Sequence, residues 1–405
     1  MRSVINKTHH LFARLVRYFN QAVVLIRYHN RNRDQAVWVC GEWFGKRGGD
    51  NVYCFVNYLA KHYPSLKLYW VSSNPSSVEA IHDSVTILEM DSAAARSVFR
   101  EAGVILMGQN FHDFSRNGYN YFSGALTVNL WHGLPWKRLG DLDPAKGLKS
   151  IWRRMVVKRL FQANFLLCSS SKHVDVMKVA FNLTDREIIQ CGQPRNEFMH
   201  NTNEIEKLAK YLRTKMGFSK SDKLIAYLPT FRSDGRQFCI ESLLSDTEIS
   251  RLELSSVKFI TKRHNVDLDR DIEEKQQLKI SFDVSEFTVQ EILSAADVLI
   301  TDYSGVFFDF LLLDRPIIHL LLDYTDYADH DRGLYFPVEK IKCGATVWSE
   351  GELFDACDEA IHQDLNSEIR RKQRRVILDQ ELTGASERLA RLIFQKIQIT
   401  KARIR

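Results

Sequence analysis

The stretch DVLITDYSGVFFDFLLLDRPIIHLLLD (297–323) decides the fold. An apolar run ends in a hydroxyl-rich turn, Thr301-Asp302-Tyr303-Ser304-Gly305. The helical pattern GVFFDFLLL follows at once, and PIIHLLLD then reads as a second strand. Strand, helix and strand in succession form a crossover unit, which pairs its strands in parallel. The same rhythm extends toward the N-terminus through KLIAYLPTF (223–231), VKFITKRH (257–264) and LKISFDV (278–284). An earlier series reads AVWVCG (36–41), KLYWVSS (67–73), VTILEM (85–90), GVILMGQ (103–109) and ALTVNLWHG (125–133), with helical patterns between. Two α/β domains with parallel sheets follow, and the charged stretch 201–223 reads as a helix and linker between them. The expected division is a basic amphipathic segment at 1–35, one domain at 36–215 and a second at 216–405. The part from about Glu350 onward is expected to be helical and to pack back across both domains.

A chain of 405 residues is comfortable for two domains, and its composition, 45% hydrophobic and 26% charged, is that of a globular protein. Its 7 cysteines are scattered, with no C-x-x-C pair, which fits a reducing compartment better than a disulfide framework or a zinc site. No apolar run is long enough to cross a bilayer, and the first residues lack a signal-peptide core. The net charge of +6 is concentrated. Residues 1–35 hold Arg2, Lys7, Arg14, Arg17, Arg27, Arg31 and Arg33 against Asp34 alone, and residues 136–160 are comparably basic. A local anionic partner suits this better than a nucleic acid, which needs a broader basic surface. In 6–28, Leu11, Phe12, Leu15, Val16, Phe19, Val23 and Ile26 recur at helical spacing between basic residues. KGLKSIWRRMVVKRL (146–160) shows the same pattern. Both segments fit an interfacial helix on anionic lipid; a core-packed helix with a solvated basic face fits 146–160 as well.

Five segments in order resemble the CDP-glycerol glycerophosphotransferase family of teichoic-acid and capsule polymer synthesis. They are GEWFGKRGGDN (41–51), LWHGLPWKRLG (130–140), CSSSKHVDVMKVAFNLTDREIIQCGQPRNEF (168–198), LPTFR (228–232) and the long match 296–336. Three departures accompany them. Leu134 stands where the family's signature has Thr, Asn265 where it has a proline after the histidine, and Gly305 where it has a second serine.

The resemblance implies a GT-B fold, two Rossmann-like domains facing across a cleft, and transfer of glycerol phosphate or a related polyol phosphate from a CDP-activated donor, with release of CMP. It implies His132 as general base and His264 as a catalytic contact to the donor phosphates. An imidazole has suitable basicity for such proton transfer, and the carboxyl end of a strand is where α/β sheets place ligands. Arg232, Lys262, Thr301, Asp302, Ser304, Gly305, Asp323 and Arg332 are expected on the donor side. Hydroxyls and backbone N–H groups at a helix start form an anion site, so Thr301, Ser304 and the Gly305 amide suit a diphosphate. Asp302 reads as a cap or orienting group, and Asp309 as structural. On the acceptor side stand Gly45, Asn51, Gly133, Lys137 and Arg138, with a solvated loop an equal reading for Arg138. The run GKRGGD lacks Walker spacing.

No metal-ligand set and no tightly bound cofactor is expected; CDP-glycerol or CDP-ribitol would be the donor. The partners are a lipid-linked or polymeric polyol-phosphate acceptor and an anionic membrane surface, at the cytoplasmic face of the plasma membrane. A GT-B glycosyltransferase using a sugar nucleotide is the alternative.

Overall fold

The computed structural model describes residues 16–78, 80–139, 163–230, 238–262, 280–330 and 333–404. The segment 146–160, residues 1–15 and the side chains of Arg232, His264 and Arg332 lie outside the described residues.

The first sheet contains β1 (Asp34–Gly41), β2 (Lys67–Ser72), β3 (Thr86–Glu89), β4 (Ala102–Met107), β5 (Leu126–Asn129), β6 (Phe165–Cys168) and β7 (Ile188–Gln190), in the order β3-β2-β1-β4-β5-β6-β7. The second contains β8 (Lys223–Tyr227), β9 (Val257–Thr261), β10 (Ser281–Asp283), β11 (Val298–Thr301), β12 (Ile317–Leu320) and β13 (Ala345–Val347), in the order β10-β9-β8-β11-β12-β13. The strand pairs are parallel in both. Both orders run outward from a first strand and then reverse beside it, so each sheet has a switch point at its carboxyl edge. The expected strands are present. β6, β7 and β13 are additional.

Strand β4 is buried along its whole length, because helices cover both sheet faces. The helix α1 (Asn51–His62) turns Val52, Phe55, Val56 and Leu59 into the first core. Its start is satisfied from outside: Asp50 accepts from the Asn51 N–H, and buried Glu42 accepts from those of Val52 and Tyr53. The helix α2 (Thr202–Met216) lies on the second domain, with Leu212 in its core. The turn after β11 leads into a short helix, α3 (Val306–Phe310). The chain ends in α4 (Ala385–Ile404), whose Leu389, Ile393 and Ile397 return to the first core.

Between residues 16 and 27 the chain is helical, and its apolar stripe faces outward. Phe19 and Ile26 are 70% and 79% exposed, with Val16 and Val23 beside them. The opposite face is anchored by buried Gln21, whose amide exchanges two hydrogen bonds with the Asn120 backbone. Among the described residues no helix is long and apolar enough to cross a membrane.

Candidate active site

The two sheets meet through their carboxyl-edge loops. Three residues beyond β5 the chain reaches His132, between Trp131 in a left-handed conformation (φ 51°) and Gly133 (φ 125°). The Asn129 side chain holds this turn by accepting the Trp131 N–H at 2.8 Å. The imidazole lies against two indoles, with ring centroids 4.1 Å from Trp131 and 5.4 Å from Trp43. Its Nδ1 is 3.4 Å from the Gly108 carbonyl. An N–H there donates to that oxygen and leaves the lone pair on Nε2. Burial among the rings pushes the His132 pKa down to about 4, with Arg195 and Lys137 also lowering it against Asp50 and the Gly108 carbonyl. The base form is therefore populated across neutral pH, and the group is a weaker base than an ordinary histidine.

A left-handed run after β1 delivers Trp43 to this position. Trp43, Phe44 and Gly45 have φ of 49°, 58° and 71°. Two side chains after β4 hold the run: Gln109 accepts the Trp43 N–H at 2.6 Å, and Asp113 accepts that of Phe44 at 2.9 Å. Strain of this kind persists only where surrounding bonds over-determine it.

Beneath His132 lies Arg195, from the GQPRNEF segment. It is 7% exposed, and its guanidinium bonds Asp50 at 2.9 Å and Asp309 of α3 at 2.5 Å. Asn196 also donates to Asp309, at 2.7 Å. This ion triad crosses from one sheet to the other. A Cβ on Gly133 would stand 2.8 Å from Arg195 Nη2, so the His132 turn rests directly on the guanidinium. A Cβ on Gly305 would stand 2.0 Å from the Leu134 carbonyl, so the turns after β5 and β11 touch backbone to backbone. Trp136 completes the join, fully buried against the rings of Tyr303, Phe307 and His319, with Nε1 donating to the Phe336 carbonyl at 2.8 Å.

Several expected residues stand differently from their sequence reading. Asn51, expected on the acceptor side, is fully buried; its amide donates to the Leu130 and Trp131 carbonyls and to Gln193, and accepts the Arg195 N–H. Gly45 is buried in a turn whose carbonyl accepts from Ser72 and Ser73. Thr301 ends β11 with its side chain buried, and its hydroxyl has no hydrogen-bond partner among the described residues. Asp302 does not cap its own helix: both carboxylate oxygens accept the Thr230 N–H, at 2.8 and 3.0 Å, holding the segment that leads to Arg232. The helix after Gly305 spans only Val306–Phe310 and has no side-chain cap; Ser304 and Gly305 at its start are both half-buried. Asp323 accepts the Tyr303 hydroxyl at 2.8 Å. Arg138 is exposed, but its N–H and Nε bind the Gly333 and Leu334 carbonyls, and Lys137 pairs with Leu334 in an isolated bridge. Lys262 is buried, with Nζ donating to the Ser285 and Phe287 carbonyls. Among the described residues, no group of three or more His, Cys, Asp or Glu is arranged to hold a metal ion.

Sequence reasoning passed over Trp43, Asp50 and Arg195 as site residues. Arg195 sits in a matched motif, but its role depends on carboxylates far away in the chain.

Two parallel sheets flanked by helices, joined at their carboxyl edges around an imidazole, define a GT-B-like fold. The chain belongs to the CDP-Glycerol:Poly(glycerophosphate) glycerophosphotransferase family, whose model matches residues 22–395. It is 29% identical to the teichoic acid poly(glycerol phosphate) polymerase of Bacillus spizizenii over 59% of this chain and 61% of the relative. It is 28% identical to the Bacillus subtilis polymerase of the same name over 77% of this chain, but spans only 42% of that relative. With the teichoic acid glycerol-phosphate transferase of Staphylococcus aureus, identity is 28% over 66% of this chain and 71% of the relative. The fold matches that of the wall teichoic acid polymerase TagF with a TM-score of 0.76, at 20% identity and 99% coverage of both chains.

Proposed function

We propose that the protein transfers glycerol phosphate, or a related polyol phosphate, from its CDP-activated form to a hydroxyl of a lipid-linked or growing polyol-phosphate polymer. The observation that carries the reading is His132: a neutral imidazole at the junction of two switch points, with Nδ1 committed to a carbonyl and Nε2 left as the acceptor. In the proposed step the acceptor hydroxyl gives its proton to Nε2 as its oxygen attacks the polyol-bearing phosphorus. The bond from that phosphorus to the bridging oxygen breaks, and CMP leaves with the electron pair. Lys262 and Ser304 stand on the donor side, and the family resemblance assigns His264, Arg232 and Arg332 there too. Lys137 and Arg138 serve the acceptor side.

The test is CMP release from CDP-glycerol and CDP-ribitol with an oligomeric polyol-phosphate acceptor. We expect acceptor-dependent release that falls by about 10²–10⁴-fold in His132→Ala. Release unaffected by that substitution sinks the assignment of the base. No release with either donor, from folded protein, sinks the reading and turns attention to sugar nucleotides.

The same reading includes attachment to the inner face of an anionic membrane, where a lipid-linked acceptor resides. Supporting it, Val16, Phe19, Val23 and Ile26 are exposed along one face of the first described helix, with Arg17 and Arg27 on the same helix. Phe19→Glu combined with Ile26→Glu should reduce co-sedimentation with phosphatidylglycerol vesicles. Sedimentation equal to wild type would remove this helix from the account.

A further inference from the structure

We infer that Arg47 and Lys262 form a clamp across the cleft that binds a phosphate group of a substrate. Arg47 comes from the loop after β1. Its guanidinium carbon lies 4.8 Å from the centroid of the Trp43 ring, the same indole that packs on His132. Arg47 Nε is buried and has no hydrogen-bond acceptor among the described residues. Lys262 comes from the end of β9 in the other domain and is 8% exposed. Two of its three N–H donors go to the Ser285 and Phe287 carbonyls, at 2.6 and 2.5 Å.

The two segments are in contact. A Cβ on Gly49 would lie 2.9 Å from Thr288 Cγ2, and Thr288 directly follows the residue whose carbonyl holds Lys262. The two positive charges feel each other: burial first, and Arg47 next, lower the Lys262 pKa to about 8, against Asp283 and Glu291.

The carboxylates nearest this pair have other duties. Asp50 bonds Arg195 and the Trp43 indole N–H. Glu42 bonds the backbone at the start of α1. Asp283 accepts from Ser285, and Glu291 from Thr288. Arg47 is half-buried and Lys262 buried; Asp50 and Glu42 act on the first and Asp283 and Glu291 on the second, but among the described residues neither cation forms an ion pair, and an anion between them supplies that direct partner. A planar guanidinium stacked on an indole, facing an ammonium, suits the oxygens of a phosphate ester or diphosphate. The clamp relies on the phosphotransfer reading only for the source of that phosphate: the donor's diphosphate or the terminal phosphate of the acceptor.

Calorimetric titration separates these sources, using CDP for the donor and glycerol 3-phosphate for the acceptor. Wild type is compared with Arg47→Gln and, independently, Lys262→Met, each checked for folding by thermal melting. We expect either substitution to weaken one probe or both by roughly 10- to 100-fold. Loss confined to CDP assigns the clamp to the donor; loss confined to glycerol 3-phosphate assigns it to the acceptor. Wild-type affinity for both probes in a folded variant overturns the clamp. Titration needs no turnover, so the two readings fail separately. Weakened binding without CMP release would sink the transferase reading alone, and CMP release with unchanged binding would sink the clamp alone.

Discussion

Arg195 and Arg47 both approach the His132 turn, one from below and one through Trp43, and their surroundings differ. Arg195 has a carboxylate on each side, one from each domain, and packs under Gly133. Arg47 has an aromatic face and a second cation; Asp50 and Glu42 act on its charge from nearby, but among the described residues it forms no ion pair. A buried cation whose charge is matched within the protein is a join. One left unmatched at a cleft is half of an interaction that a ligand completes. Burial alone does not separate these cases; the disposition of the neighbouring carboxylates does.

Breaking the matched side should have the largest effect. Arg195→Ala leaves Asp50 and Asp309 buried without a counter-charge and is expected to cost about 3–5 kcal/mol in urea unfolding. A loss within the error of wild type would mean that the triad contributes no join.

Gly305→Ala attacks the same junction through sterics. Its methyl would meet the Leu134 carbonyl, so a loss of about 1–3 kcal/mol is expected, together with reduced turnover as the turns separate. Unchanged stability would show that the turns yield without cost.

The unmatched side should behave otherwise. Arg47→Gln should leave the urea midpoint of the ligand-free protein unchanged or raise it, within about 1 kcal/mol, while phosphate binding suffers. A loss as large as that of Arg195→Ala would erase the distinction between the two arginines.

The smallest effect is a pH dependence. Burial first, and Arg47 next, depress the Lys262 pKa to about 8, against Asp283 and Glu291. Lys262 sheds its proton as pH rises through 8, whereas a bound anion keeps it charged. Affinity for the probe that the clamp binds, CDP or glycerol 3-phosphate, should therefore fall above pH 8 by up to about tenfold per pH unit, with proton uptake on binding near pH 8. The Arg195 triad supplies no such dependence, because its guanidinium remains charged. A flat affinity between pH 7 and 9 for both CDP and glycerol 3-phosphate would count against Lys262 as a ligand-facing group.

Most of the architecture was legible in the chain. Apolar runs alternating with helical patterns identify two parallel sheets, and the strands missed were β6, β7 and β13. The placement of His132 on a tight turn at a strand end was legible in the sequence, whereas its role was implied only by the resemblance of LWHGLPWKRLG to the family's signature. The roles around it were less so. Asn51, Thr301 and Asp302 carry the right chemical groups beside the right motifs, yet their side chains are buried in the framework.

Local patterns thus determined the elements, their parallel pairing and the turn that presents His132, since each depends on residues a few positions apart. Only the tertiary structure decided which polar groups serve the framework and which face a ligand. Asp50, Arg195 and Asp309 become one triad, and Arg47 meets Lys262, when two sheets close on each other; the electrostatic balance of a buried charge depends on neighbours that chain order does not bring together.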